Sequence, residues 1–285
     1  MHFDYLLVND LKVNIIRLIM TINIDMRHLR KFQHCPECDN VEAIIREALI
    51  ESEVVFPNGT FGGPLNVEVC DSSIWPEMNI PSWGIGGYSP ESGRIWIYIN
   101  RKNPHLRDPE FATRLKSTTK HELHHAERWR NPGYGETLGE HLVSEGLAQS
   151  FELEQGHFEL YKRISSLISD DVLIDLARRA LPQLDEKCDY NMHHDWFYGD
   201  KNNLKKYPKL GGYALGVVLT ELWLEKTNNA ENVSASQFVH IPARTILDAW
   251  RNGELAPSTM IEKPHRTNNS LKKLAATPVN VLSKQ

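Results

Sequence analysis

The chain predicts an α+β fold, and two observations carry that prediction. Runs with strand character fall before residue 100, while helical periodicity dominates from residue 109 onward. Strands first and helices after point to α+β, and no internal repeat is visible in the chain.

Each element has its own signal. Residues 1 to about 24 suggest a strand or short helix packed on the body. In "VEAIIREALIESEVVFP", Val41, Ile44, Ile45, Ala48 and Leu49 recur at helical spacing, and the helix should end before Pro57. "LNVEVC" alternates like a strand. "GIGGYSPESGRIWIYIN" reads as a hairpin with its turn marked by Pro90 and Gly93. Its second arm sets Ile95, Ile97 and Ile99 against Trp96, Tyr98 and Asn100. "PEFATRLKSTTKHELHHAERWR" is one long helix or two abutting ones, closed by Pro132 and Gly133. "ETLGEHLVSEGLAQSFELEQG" is the next helix, ending at Gly156. Residues 157–184 continue as helices, and "HHDWFYGDKNNLKKYPKLGG" reads as a polar, aromatic loop. "GYALGVVLTELWLEKT" is apolar enough for a central helix, and "ASQFVHIPARTILDAWRNG" is a further helix interrupted near Pro242. The basic tail from about residue 260 shows little periodicity and is expected to be flexible. The expected organisation is an extension over 1–24, a main domain over 25–259 whose upper α/β part runs to about 132, and the tail over 260–285.

Composition narrows the function classes. A length of 285 residues with 41% hydrophobic and 24% charged residues suits a globular protein with a sizeable core. The net charge of −5 argues against a nucleic-acid partner that needs a large positive field. Four cysteines are too few for a disulfide scaffold. "HCPEC" offers Cys35 and Cys38 beside His34, but no second ligand pair matches it, so a turn with free thiols is the plainer reading. No apolar run reaches membrane-spanning length. The N-terminal stretch is interrupted by Asp4, Asp10, Lys12 and Arg17 and lacks the marks of a signal peptide. A cytoplasmic location is expected.

Chemistry concentrates in "KSTTKHELHHAERW", where three histidines and two glutamates occupy residues 121–127. His121, Glu122 and His125 form H-E-x-x-H. Residues four apart share a helix face, about 6 Å apart along the axis. Two imidazoles there can converge on one metal, with Glu122 one step around as an adjacent general base. That combination is what metal-assisted hydrolysis needs. A solvated helix face rich in histidine would explain the same string, so a third ligand decides between the two readings.

The continuation with glycine three residues after the second histidine fails, because Arg128 and Asn131 occupy the diagnostic positions. Glu145 in "LVSEGLA" remains. Leu138, Leu142 and Glu145 share one helical stripe, and a carboxylate aimed into apolar surroundings needs a partner. A cation would serve, and so would Arg94, Arg128 or Arg130. Gly146 and Ala148 beside Glu145 would let two helices approach closely. Glu140 points about 140° away from Glu145 on an ideal helix, and Glu136 falls in the turn or first helical turn. Gln149 or Glu152 could hold His121 in the required tautomer, and His124 is expected near the ligands or at the surface.

At "HELHHAERW" followed by "LVSEGLAQSF", the chain resembles the gluzincin metallopeptidases, and more narrowly a family of predicted zinc-dependent proteases known mostly as a bacterial domain of unknown function. "GGYSPESGRIWIYIN", "SEGLA", "WFYG" and "GGYALGVVLTELWLE" extend the resemblance over about residues 25–250. It implies a zincin-like fold: a small twisted mixed sheet on an active-site helix, with a mainly helical C-terminal lobe. It also implies Zn²⁺ held by His121, His125 and Glu145, with Glu122 as base and a peptide or protein as substrate. It places "RIWIYIN" as the upper rim of the cleft, where an edge strand could pair with a peptide. Tyr213 could donate its phenolic O–H to the reacting carbonyl oxygen, as could His193 or His194. The apolar run after "GYALG" and the histidines of "MHHDW" depart from the family pattern.

Overall fold

In the computed structural model, described residues are 22–27, 40–53, 56, 63–73, 83–157, 164, 166–199, 206–231 and 234–255. The 1–21 part of the N-terminal extension, the Cys35–Cys38 motif and the tail from 260 lie outside them.

Alternating burial builds the sheet. Strands β1 (Ile22–Asp25), β2 (Leu65–Asp71), β3 (Ile85–Glu91) and β4 (Arg94–Ile99) lie in the order β1-β2-β4-β3. β1, β2 and β4 run parallel, and β3 returns antiparallel to β4. Leu65, Val67 and Val69 of β2 and Ile95, Ile97 and Ile99 of β4 send buried side chains to the core. β1 pairs Ile22 with Leu65, so the sheet reaches across the boundary expected at residue 24.

Two expectations about the hairpin are corrected. β4 is an internal strand, flanked by β2 and β3, and of the two hairpin strands it is β3 that lies at an edge. A hairpin's second arm becomes internal when a third strand pairs with it, and local patterning does not report that pairing. The turn itself is Ser92–Gly93, whereas Pro90 sits inside β3, where the register shifts between Tyr88 and Glu91. A proline at an irregularity of an edge strand removes no needed ladder bond.

The helices are α1 (Val41–Glu53), α2 (Phe111–Arg128), α3 (Leu138–Glu154), α4 (Asp170–Ala180), α5 (Tyr190–His193), α6 (Gly211–Glu231) and α7 (Ala243–Arg251). α1 buries Val41, Ile45, Ala48 and Leu49 against the sheet side, and its Glu51 pairs with buried Lys120 of α2 at 2.9 Å. α2 is a single helix. α3 starts at a capping box: Thr137 accepts from the Glu140 N–H, and the Glu140 carboxylate reaches back to the Thr137 N–H. Glu140 is thereby committed to the helix end, and Glu136 is exposed in the turn.

Residues 193–198, the start of the stretch expected as loop, are helical. α5 is capped by Asp189, which accepts from the Met192 N–H at 2.9 Å, and it continues as a π-turn over His194–Tyr198. Trp196 and Phe197 are fully buried and anchor it. The segment is too short, and too polar around those two rings, for a helical period to show in sequence.

Two large apolar clusters form among the described residues. One lies between the sheet, α1 and α2. The other gathers α3, α4, α6 and α7. α3 and α6 cross closely, since a Cβ on Gly146 would fall 2.2 Å from the Gly216 carbonyl oxygen. The close approach expected beside Glu145 is therefore made with α6. Buried Arg128 fastens the end of α2: Nε donates to Ser144 Oγ, and one amino group donates to the carbonyls of Val239 and Ile241, each at 2.9 Å. Among the described residues no helix is long and apolar enough to cross a membrane.

Candidate metal centre

α2 carries His121 and His125 on one face, and α3 returns beside it to deliver Glu145 between them. His121 Nε2 lies 3.0 Å from His125 Nε2 and 3.1 Å from Glu145 Oε2, and His125 Nε2 lies 3.4 Å from Glu145 Oε1. All three side chains are buried. Tetrahedral zinc with bonds of 2.0–2.1 Å spaces its ligands by about 3.3 Å, so these separations match a ligand triangle.

The surrounding hydrogen bonds aim the rings. His121 Nδ1–H donates to Glu152 Oε1 at 2.6 Å, which leaves Nε2 to face Glu145 and His125. Ser117 donates to the other oxygen of Glu152. Tyr134, in the turn between α2 and α3, donates to Glu145 and sets its ring 5.1 Å from that of His125. His125 Nδ1 has no partner among the described residues.

Burial and neighbouring charges oppose each other in this site. Burial disfavours charge on His121, but Glu145 and Glu152 outweigh it and hold the ring well above its ordinary pKa. Burial likewise opposes ionisation of Glu145, yet His125 and His121 hold it well below the usual carboxylate range. A cation between His121, His125 and Glu145 would meet the donor atoms of all three. Among the described residues no lysine or arginine pairs with Glu145. Arg94 serves Glu68 and Glu91, Arg128 serves Ser144 and two carbonyls, and Arg130 serves Glu127. Two imidazoles with one carboxylate form a donor set suited to zinc.

Glu122 stands apart from this triangle. Its carboxylate lies under β3, where Ser89 Oγ sits 3.0 Å from Oε2 and donates to the Glu122 carbonyl at 2.7 Å. A Cβ on Gly87 would fall 2.4 Å from Glu122 Cγ, so only glycine leaves room for this side chain. Burial raises the Glu122 pKa, with His125 and His121 opposing. That combination suits a group that must take up a proton and release it.

A family model described as "Predicted Zn-dependent protease (DUF2268)" matches residues 66–248. The chain belongs to this family. No curated protein and no solved structure matches it at a significant level. The match includes His121, Glu122, His125, Glu145, Glu152 and Tyr213, all within its span.

The remaining residues named from sequence fall as follows. Of the two carboxamide or carboxylate candidates for orienting His121, Glu152 makes the bond, while the buried Gln149 side chain has no partner among the described residues. His124 is not at the surface; its ring lies 6.3 Å from that of His125, beside the site. It is fully buried, its ring 5.7 Å from Phe151 and 6.5 Å from Phe56, with both nitrogens unpartnered among the described residues. Burial, then the charges of His125 and Arg128, hold it well below its ordinary pKa, so it packs as a neutral ring. Tyr213 bonds Tyr198 phenol to phenol, and both feel the charge of Glu145. His193 pairs with His141, Nδ1 to Nδ1 at 3.1 Å. Sequence reasoning missed Ser89, Ser117 and Tyr134. Tyr134 had a visible signal: an aromatic with a polar tip flanked by Gly133 and Gly135, between the two ligand helices.

Proposed function

We propose that this chain is a zinc-dependent peptidase of the gluzincin ligand type on a zincin-like scaffold. One observation carries the reading. Three candidate ligand atoms converge as a triangle, while a further acid, Glu122, is held beside them by β3 and kept out of that set. A metal that served only structure would have no use for that acid.

In this reading His121, His125 and Glu145 hold the ion, Glu152 and Ser117 orient His121, and Tyr134 steadies Glu145. Bound zinc supplies Lewis acidity, which makes water a better nucleophile and a carbonyl a better electrophile. Glu122 takes a proton from the attacking water and delivers it to the departing amide nitrogen, so the acid ends the cycle as it began. The Tyr213–Tyr198 pair is the proposed donor to the carbonyl oxygen. Burial raises both phenols above their ordinary pKa, so both keep the O–H that such a donor needs, and Tyr198 is half-exposed. The edge of β3 above Glu122 supports a peptide substrate, because an extended chain can continue the sheet there. Free Cys70 and Cys188 suit the reducing cytoplasm.

Glu122→Gln should retain stoichiometric zinc while cleavage of a fluorogenic peptide library falls by about 10²–10⁴-fold, the usual worth of a general base. Normal cleavage by that variant rejects the assignment of Glu122. Zinc retained without cleavage in both variant and parent leaves a metal-dependent binding protein instead.

A further inference from the structure

A second cluster of metal-ligating side chains lies across Tyr134 from the first. His141 in the first turns of α3, Cys188 in the loop before α5, and His193 at the end of α5 bring one ligand atom each within 4.8 Å of one another. None of them belongs to the ligand set described above. The Tyr134 ring separates the two groups, its centroid 5.1 Å from that of His125 and 4.8 Å from that of His141.

The cluster is oriented as well as close. His141 Nε2–H donates to the Gly135 carbonyl at 3.3 Å, so Nδ1 carries the lone pair and faces inward. A backbone carbonyl on the far ring nitrogen is the usual support of a metal-ligating histidine. The inward Nδ1 meets His193 Nδ1 at 3.1 Å, close to the ligand spacing of about 3.3 Å in a tetrahedral zinc site. His193 is stacked on buried Phe197 at 4.5 Å and 20°. Cys188 is fixed to the start of α3 by its N–H, which donates to the Glu136 carbonyl at 2.8 Å. Three rigidly placed donors, two nitrogens and a sulfur, therefore face one point.

We propose that His141, Cys188 and His193 form a second Zn²⁺ site, distinct from the catalytic one, that ties α5 to the N-terminal end of α3. Burial keeps both rings neutral, the form that ligates, with His141 lowered to about 4. The thiol is protonated in the metal-free protein, so zinc must displace that proton. Binding there should therefore weaken as pH falls. A simple hydrogen bond between the two imidazoles is the competing account.

Cobalt separates them. Co²⁺ added to the metal-stripped full chain should give a near-ultraviolet thiolate-to-cobalt absorption, which the sulfur-free catalytic ligands cannot produce. Cys188→Ser should lose this band and still take Co²⁺ at the first site, seen in its visible absorption. A Cys35→Ser/Cys38→Ser double variant should keep the band. His193→Asn should lose it too, and it decides the matter if Cys188→Ser does not fold by circular dichroism. No band in the parent protein, or a band that survives Cys188→Ser or His193→Asn, overturns the proposal.

Discussion

At the scale of single residues, the centre depends on groups that touch no substrate. Glu152 fixes which nitrogen of His121 faces the ligand triangle, and it does so from within the fold at 2.6 Å. Glu152→Gln keeps the shape but loses the charge that favours the ligating ring. Zinc affinity should fall by about 10–100-fold, read by competition with a chromophoric chelator. Unchanged affinity would mean that the His121–Glu152 bond is incidental. Gly87 bears on Glu122, the proposed base, and not on the proposed ligands. Alanine there would press on Cγ, Cδ and Oε1 of Glu122 together, so the side chain must leave its place. Gly87→Ala should lower kcat with zinc content intact, a split that separates the base from the ligands.

At the scale of elements, the site is a crossing of helices. α2 presents its ligands to α3, and α3 is held at its height by α6 through the Gly146–Gly216 contact. Helix propensity alone favours alanine over glycine by about 0.8–1.0 kcal/mol. At Gly216 the new Cβ would lie 2.4 Å from the Leu142 carbonyl oxygen, a backbone atom that cannot step aside. Overpacking of that kind costs about 1–3 kcal/mol, so the clash wins. Gly216→Ala should be destabilised in urea denaturation, and an equal or higher midpoint would show that the helices can slide apart freely.

Across the whole molecule, acidity is distributed unevenly. Glu154 at the end of α3 and Glu221 on α6 are each pushed up to about 7, chiefly by burial. Their folded pKa values exceed the ordinary 4.5, so the fold binds their protons more tightly than the unfolded chain does. Their contribution is complete below about 4.5 and is lost as pH rises through about 7. Glu154→Gln/Glu221→Gln should therefore gain stability relative to the parent chain as pH rises from 5 to 8 in thermal melts. A constant difference between the two proteins across that range would show that neither carboxyl is protonated in the fold.

The strands of β2 and the hairpin, the helices α1, α2, α3 and α6, and the H-E-x-x-H pattern were legible in the sequence. Each is set by local spacing, period 2 or 3.6, within one stretch of chain. So was the need of Glu145 for a partner, because an acid inside an apolar stripe is costly wherever the stripe packs. What local spacing does not contain is which elements meet. Only the tertiary structure made β3 an edge strand and buried His124 among phenylalanines. It also chose Glu152 over Gln149, and it brought Ser89, Tyr134 and Ser117 from separate segments to the same centre. The physical reason is that hydrogen bonds and ligand geometry are decided over about 3 Å in space, between residues that here lie as far as 35 positions apart in the chain.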